Sequence, residues 1–387
     1  MWGGCVRLEL RECPAVESAV ALDRCLRDRH VLFLGDSVTR YTFLSLAQFL
    51  HQGAWDTSFF PPTEFEGYYS SWAEFFQVTN GRLGGSGRAV CDCFRKDYAH
   101  KWVLPAGKSG ESVTTVGSLE NRYFVGPSGG RLSFLQVFGS HPLVWHDPRA
   151  LGVEAGGPFS QRLCEPAECS PFNTTDVRVG SLEGPEVRAL VAELAPTDIV
   201  VNSGLWESWE RDKEGKGPLT DKLAAIERMA EAAACARDSA LCGTPFAALP
   251  HGARPRLWWR TTTAPAPVSL RSYREPRLVA EALRRGWRVM DVGGVGAALR
   301  PLISTEGLEV WEDERGTGGW ILHDPTPDAC NSSSGGEGAC PPLQPRLNRE
   351  EGSHNLPFSV LWADETHPSP MITQGLSKFI AAHLCEV

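Results

Sequence analysis

A short apolar run that stops at a glycine and opens into a helix constrains this chain most. Val31-Leu32-Phe33-Leu34 holds no polar residue, so it reads as a strand buried on both faces, and Gly35 ends it. Ser37 to His51 then carries apolar residues at Phe43, Leu44, Leu46, Ala47 and Leu50, a spacing that suits a helix facing a core. The unit recurs. Further strands are expected at Arg131–Phe138, Asp198–Asn202, Leu257–Thr262 and Trp287–Val292. Helical periodicity marks Pro185–Leu194, Asp221–Arg237, Pro276–Arg285 and a closing Met371–Leu384, with Pro185 where a first turn accepts proline. Such alternation predicts an α/β fold with a central parallel sheet and helices on both faces. The adjacent Trp258-Trp259 pair is expected to straddle its strand, one ring to each face.

The 387 residues suffice for one large domain spanning 1–387. Two stretches break the alternation. Residues 52–183 are aromatic-rich from Phe59 to Phe76 and glycine-rich from Gly81 to Gly87, and residues 302–358 are rich in Gly, Pro, Ser and charge. Both are read as irregular, disulfide-containing insertions that form a minor lobe at the edge of the sheet. The formal charge of −9 and the lack of a dense Lys/Arg stripe argue against a nucleic-acid surface. No apolar run nears the roughly 20 residues of a membrane span, so this segment is expected to be soluble and to make no membrane contact of its own. With no glycine-rich phosphate loop, His-Glu-x-x-His or Asp-rich calcium loop, no cofactor or metal is expected.

Twelve cysteines point to an oxidising compartment. The close pairs Cys164/Cys169, Cys235/Cys242 and Cys330/Cys340 suggest small disulfide-closed loops. Sequons at Asn173-Thr174-Thr175 and Asn331-Ser332-Ser333 make Asn173 and Asn331 candidate glycosylation sites beside two of these loops. Cys91-Asp92-Cys93 has a competing reading as part of a zinc site, although no Cys-x-x-Cys or His-x-x-x-His accompanies it. The expected location is the secretory pathway, in the Golgi lumen or outside the cell. Met1 to Arg7 lacks the apolar core of a secretory signal, so a luminal fragment, a trimmed chain or an incomplete reading frame is expected.

Gly35-Asp36-Ser37 places a serine after the first buried strand, at the carboxyl edge where open α/β sheets hold their sites. A tripeptide of this kind arises by chance in roughly one chain in ten of this length, and Asp or Ser is also an ordinary helix cap. Near the other end stands Asp364-Glu365-Thr366-His367. A serine hydroxyl needs a neighbouring base, and a carboxylate three residues before a histidine can reach back to fix its tautomer. The bland alternative for His367 is a loop histidine before Pro368. Arg40, one helical turn after Ser37, is a candidate to face the same cleft, or else a surface arginine. Asn202 ends a central strand and Gly204 follows it. Together they are candidates for oxyanion or substrate contact, against the plainer reading of a strand-ending turn. Trp206, Trp209 and Trp362 lie near these positions, where an indole stacks on a sugar or, more commonly, fills a core.

These stretches resemble the SGNH/GDSL superfamily and, more narrowly, its PC-esterase branch. That branch includes plant trichome-birefringence-like wall-polysaccharide O-acetyltransferases and the luminal domain of the sialic-acid O-acetyltransferase. The likeness rests on Val31–Arg40, on Asp198–Asn202 running into Ser203-Gly204-Leu205-Trp206, on Trp258-Trp259-Arg260-Thr261 and on Asp364–His367. It implies a flavodoxin-like three-layer α/β/α sandwich, with Ser37 as nucleophile, His367 as base and Asp364 as its orienting acid. Arg40 matches the arginine of Gly-Asp-Ser-x-x-Arg, which in the branch faces the active site. The superfamily's Gly-x-Asn-Asp is absent around Asn202, and Pro368-Ser369-Pro370 stands where the plant enzymes continue with Trp-Cys-Leu-Pro-Gly. The expected function is a glycan O-acetyltransferase with an acyl-serine intermediate, taking a carbohydrate acceptor and an acyl donor. An esterase with the same triad is the close alternative, and a non-catalytic glycan-binding glycoprotein the more distant one.

Overall fold

The computed structural model describes residues 18–55, 69, 71–84, 87–95, 102–103, 115–116, 118–137, 142–148, 177–202, 219–261, 275–292, 308–312, 318–322 and 370–385. In chain order these give α1 (Ala19–Cys25), β1 (His30–Gly35), α2 (Ser37–Gln52), α3 (Trp72–Arg82), β2 (Ala89–Arg95), β3 (Trp102–Val103), β4 (Thr115–Val116), β5 (Ser118–Val125), β6 (Arg131–Gln136), β7 (Leu143–His146) and β8 (Val177–Gly180). There follow α4 (Pro185–Leu194), β9 (Asp198–Val201), α5 (Leu219–Arg237), β10 (Arg256–Arg260), α6 (Glu275–Arg284), β11 (Arg288–Met290), β12 (Leu308–Glu312), β13 (Gly318–Leu322) and α7 (Pro370–Cys385).

Seven strands form the central sheet in the order β11-β10-β9-β1-β6-β5-β2. The pairs from β11 through to β6 are parallel, and β5 is antiparallel to both of its neighbours. β1 occupies the middle of the sheet and alternates between its two faces. Val31 and Phe33 join a hydrophobic cluster with residues of α1, α2, α3 and α7. Leu32 and Leu34 join a second cluster with residues of α4, α5 and α6. Burial on both faces is why Val31–Leu34 can be apolar throughout. Trp258 enters the first cluster and Trp259 the second, so that pair does straddle its strand. Phe33 meets Phe43 edge-on at 6.4 Å, tying α2 to β1.

Residues 52–183 include the expected strand at Arg131–Phe138, present as β6. Where described, they supply α3 and three strands of the central sheet, β2, β5 and β6. The alternating pattern was disguised because β5 buries Glu120 and Arg122 on a covered face, where a pattern reading expects apolar residues. β12 and β13 from the second irregular stretch pair with each other.

Three disulfides lie among the described residues. Cys235–Cys242 closes the small loop that the spacing suggested, whereas Cys164, Cys169, Cys330 and Cys340 lie outside those residues. Cys91 is bonded to Cys93. Sulfurs in a disulfide offer no thiolate, which removes the zinc reading of that pair. Cys25–Cys385 joins residues 360 apart in sequence and fastens the last residue of α7 to the end of α1. Bridges of this kind are compatible with a secreted or luminal protein. Among the described residues no helix is long and apolar enough to cross a membrane.

The end of α7 is held at the amino edge of the sheet. Leu384 O accepts from Arg29, just before β1, at 2.6 Å and from Arg256, the first residue of β10, at 3.3 Å. Asp198, which opens β9, binds both arginines and the Trp258 indole N–H. The 16 residues of α7 extend about 24 Å at 1.5 Å each. The six of β1 extend about 20 Å. α7 also packs against α2.

Candidate functional site at the carboxyl edge of the sheet

From His30 to Leu50 every residue is buried except Ser37, which is partly exposed. Asp36 caps α2, its carboxylate accepting from Val38 N–H at 3.0 Å and Thr39 N–H at 3.4 Å. Arg40 N–H donates to Asp36 O at 3.0 Å and makes the first helical bond. Ser37 is therefore the first residue of a well-formed helix, at the positive end of its dipole. Beneath it the backbone is tightly packed. Asn202 N–H donates to Leu34 O at 2.9 Å and Val137 N–H to Gly35 O at 2.8 Å, so β1 is bonded on both sides up to its last residue. A Cβ at Gly35 would lie 2.3 Å from Thr39 Oγ1 and 2.7 Å from Asn202 O. Only glycine permits this approach of helix, strand and neighbouring strand end.

Taken in chain order, the parallel strands β1, β6, β9, β10 and β11 lie side by side as second, first, third, fourth, fifth. The chain leaves β1 for β6 on one side and returns for β9 on the other. The reversal lies between β1 and β9, so Ser37 and Asn202 follow the two strands at a topological switch point, where open sheets leave a crevice.

Asn202 is 1% exposed, and its amide Nδ2 donates to Arg260 O at 2.9 Å, bracing the end of β9 against β10. Arg260 had no role in the sequence reading. It ends β10 at the same edge and is 0% exposed, an unusual setting for a guanidinium.

Arg40 is turned inward. Its guanidinium is 3.0 Å from Glu120 Oε2, with both side chains 2% exposed, and Arg122 Nε lies 2.7 Å from Glu120 Oε1. Arg122 also donates to Thr79 Oγ1 of α3 at 3.0 Å. Tyr41, Phe75 and Trp72 rings surround the Arg40 guanidinium at 4.5, 5.0 and 5.5 Å. Burial opposes charge on all three groups. In Arg40 the Glu120 charge and a Tyr41 hydrogen bond more than offset it, and Arg40 is held above the usual arginine value. In Arg122 burial prevails and the value falls. One carboxylate, itself held below the usual range by both arginines, does not fully compensate two guanidiniums.

A further acid–base pair was missed. His146 Nδ1 lies 2.6 Å from Asp92 Oδ1, and His146 N–H donates to Asp92 Oδ2 at 3.0 Å. Asn121 Nδ2 donates to Asp92 Oδ2 at 3.1 Å. Asp92 and Asn121 face each other across β2 and β5, and Asn121 pairs Leu135, which pairs Leu34. The pair therefore lies three strands from β1, about 14 Å away at 4.8 Å per strand. No local signal links residues 54 apart in sequence.

Asp364, His367, Gly204, Asn173 and Asn331 lie outside the described residues. Comparison with protein-family models, curated proteins and solved structures finds no match.

Proposed function

We propose that this chain is a glycan O-acetyltransferase of SGNH type, within the PC-esterase branch, that works through an acetyl-Ser37 intermediate. One observation carries the reading. Ser37 is the single break in a buried run, at a helix N-terminus and at the switch point of a parallel sheet. Ser37 is partly exposed there, and the positive end of the helix dipole favours a developing oxyanion beside it. The second-first-third-fourth-fifth strand order is that of flavodoxin-like sheets, and two core clusters on opposite faces suit a three-layer α/β/α sandwich.

In this account His367 takes the Ser37 proton as Oγ attacks the acetyl carbonyl, and Asp364 orients the imidazole. The donor's leaving group departs with that proton. A sugar hydroxyl then attacks the acetyl-serine, returns its proton through His367 and restores Ser37. α7 packs against α2, the helix that Ser37 opens, which suits a meeting of the chain's two ends. Pro370 follows His367 by three positions, a span of about 11 Å at most. Asn202 and Gly204 are the proposed oxyanion donors. The disulfides and the sequons at Asn173 and Asn331 suit the Golgi lumen or the cell exterior.

The test is turnover of an activated acetyl ester with and without oligosaccharide acceptors. Acetylated glycan should form at the expense of free acetate. If no acceptor diverts the acetyl group from water, the protein is an esterase. If Ser37→Ala leaves turnover unchanged, Ser37 is not the nucleophile and the SGNH reading is wrong; if the wild-type protein shows no turnover but binds oligosaccharide, a non-catalytic glycan-binding role stands in its place.

A further inference from the structure

We infer that Arg40 is a positioning residue for Ser37, acting through its buried ion pair with Glu120 and not by contact with substrate. This rests on the reading of Ser37 as nucleophile and adds to it how that serine is held.

Arg40 belongs to the turn that carries Ser37, since its own N–H closes that turn on Asp36 O. Its side chain reaches across β6 to β5. Register locates the far end of this reach: Asn121 pairs Leu135, so Glu120 continues the ladder opposite Gln136, which pairs Gly35. Glu120 thus stands level with the last residue of β1, two strands away, about 10 Å in the plane of the sheet. The guanidinium meets its carboxylate at 3.0 Å and is packed against three aromatic rings. Glu120 is immobilised in turn by Arg122, and Arg122 by Thr79 of α3. The first turn of α2 is therefore tied to β5 and, through Arg122, to α3. A guanidinium 2% exposed and ringed by these groups is badly placed to bind a substrate. It is well placed to fix the azimuth and height of the turn bearing Ser37.

Arg40→Met tests this without stranding a charge, because Arg122 and Glu120 remain as a one-to-one pair. A shift of about 1 Å in a reacting group lowers the rate by about a hundredfold. Arg40→Met is therefore expected to lower kcat for an activated acetyl ester about ten- to a hundredfold with KM unchanged, and to slow phosphonate labelling of Ser37 equally. Arg40→Lys, which keeps the charge, should recover part of both rates. Glu120→Asp keeps the charge but shortens the reach, and should reproduce the loss although Glu120 has no path to substrate. It also stands as the test should Arg40→Met fail to fold. Assays are run on the full chain at temperatures where circular dichroism shows the variants folded. A rise in KM with phosphonate labelling unchanged would mean that Arg40 binds substrate, and the inference fails. Wild-type kcat in folded Arg40→Met or Glu120→Asp would mean a purely structural pair, and it also fails. Should the phosphonate not label Ser37 in the wild-type protein, the nucleophile assignment itself is overturned, independently of Arg40.

Discussion

Lowering the pH from 7 to 5 is expected to weaken the fold, above all through the fully buried His30. It opens β1 and is fully packed, with Nδ1 2.7 Å from Leu194 O and Nε2 2.7 Å from Ser133 Oγ. A carbonyl only accepts, so Nδ1 carries the hydrogen and Nε2 accepts from the serine hydroxyl. Burial lowers the pKa of the ring from 6.5 to about 4, the Leu194 bond pulling it up and Arg131 adding to the fall. The folded value lies below the unfolded one, so the unfolded chain takes up the proton first. Stability is complete above pH 6.5 and is lost as the pH falls toward 4. Linkage over that shift gives about 2 kcal/mol lost between pH 7 and 5, and about 3 kcal/mol below pH 4. Urea unfolding followed by tryptophan fluorescence at pH 7, 6 and 5 measures this in the wild type and in His30→Gln. The variant should be less stable at pH 7, but its stability should fall about 2 kcal/mol less across the interval. Parallel curves for the two proteins would refute the reasoning.

Gly35→Ala should destabilise by about 1–3 kcal/mol in the same assay. Adding Thr39→Ala should restore only part of this, because Asn202 O at 2.7 Å is backbone and stays in place. Full rescue by Thr39→Ala would contradict the three-way packing. Removing the bridges one at a time should rank with loop length. Loss of Cys25–Cys385, 360 residues apart, should cost more than loss of Cys235–Cys242, 7 apart, or Cys91–Cys93, 2 apart. The chain-entropy values are roughly 5–6, 2–3 and 1–2 kcal/mol, and a reversed order would sink that account. His367→Gln should lower acetyl-ester turnover by about a hundredfold or more, and His146→Gln by less than about twofold. The opposite result would make the Asp92–His146 pair the working base.

The elements that were legible in the sequence are those whose burial follows from local pattern alone. The runs at Val31–Leu34 and Ile199–Val201 are apolar because both of their faces are covered. α4 was read with both bounds because Pro185 starts it and its apolar positions repeat at helical spacing. β5 was lost because its inward residues include Glu120 and Arg122, whose burial depends on Arg40, 80 residues away. For Arg40, its spacing from Ser37 is a local fact and its buried partner is not. Cys25–Cys385 was equally hidden, since spacing cannot announce a bond between the ends of a chain. Asn202 was legible as a strand end, but its link to Arg260 is made only by the sheet.

The central claim is that Ser37 carries the acetyl group. The direct measurement is peptide mapping by mass spectrometry after brief incubation with an activated acetyl ester and an acid quench, in the wild type and in Ser37→Ala. The account predicts an acetyl ester on Ser37 that disappears when an oligosaccharide acceptor is added, and neither ester nor turnover in Ser37→Ala. Turnover that persists in Ser37→Ala, or acetyl found on another residue with Ser37 unmodified, would contradict it.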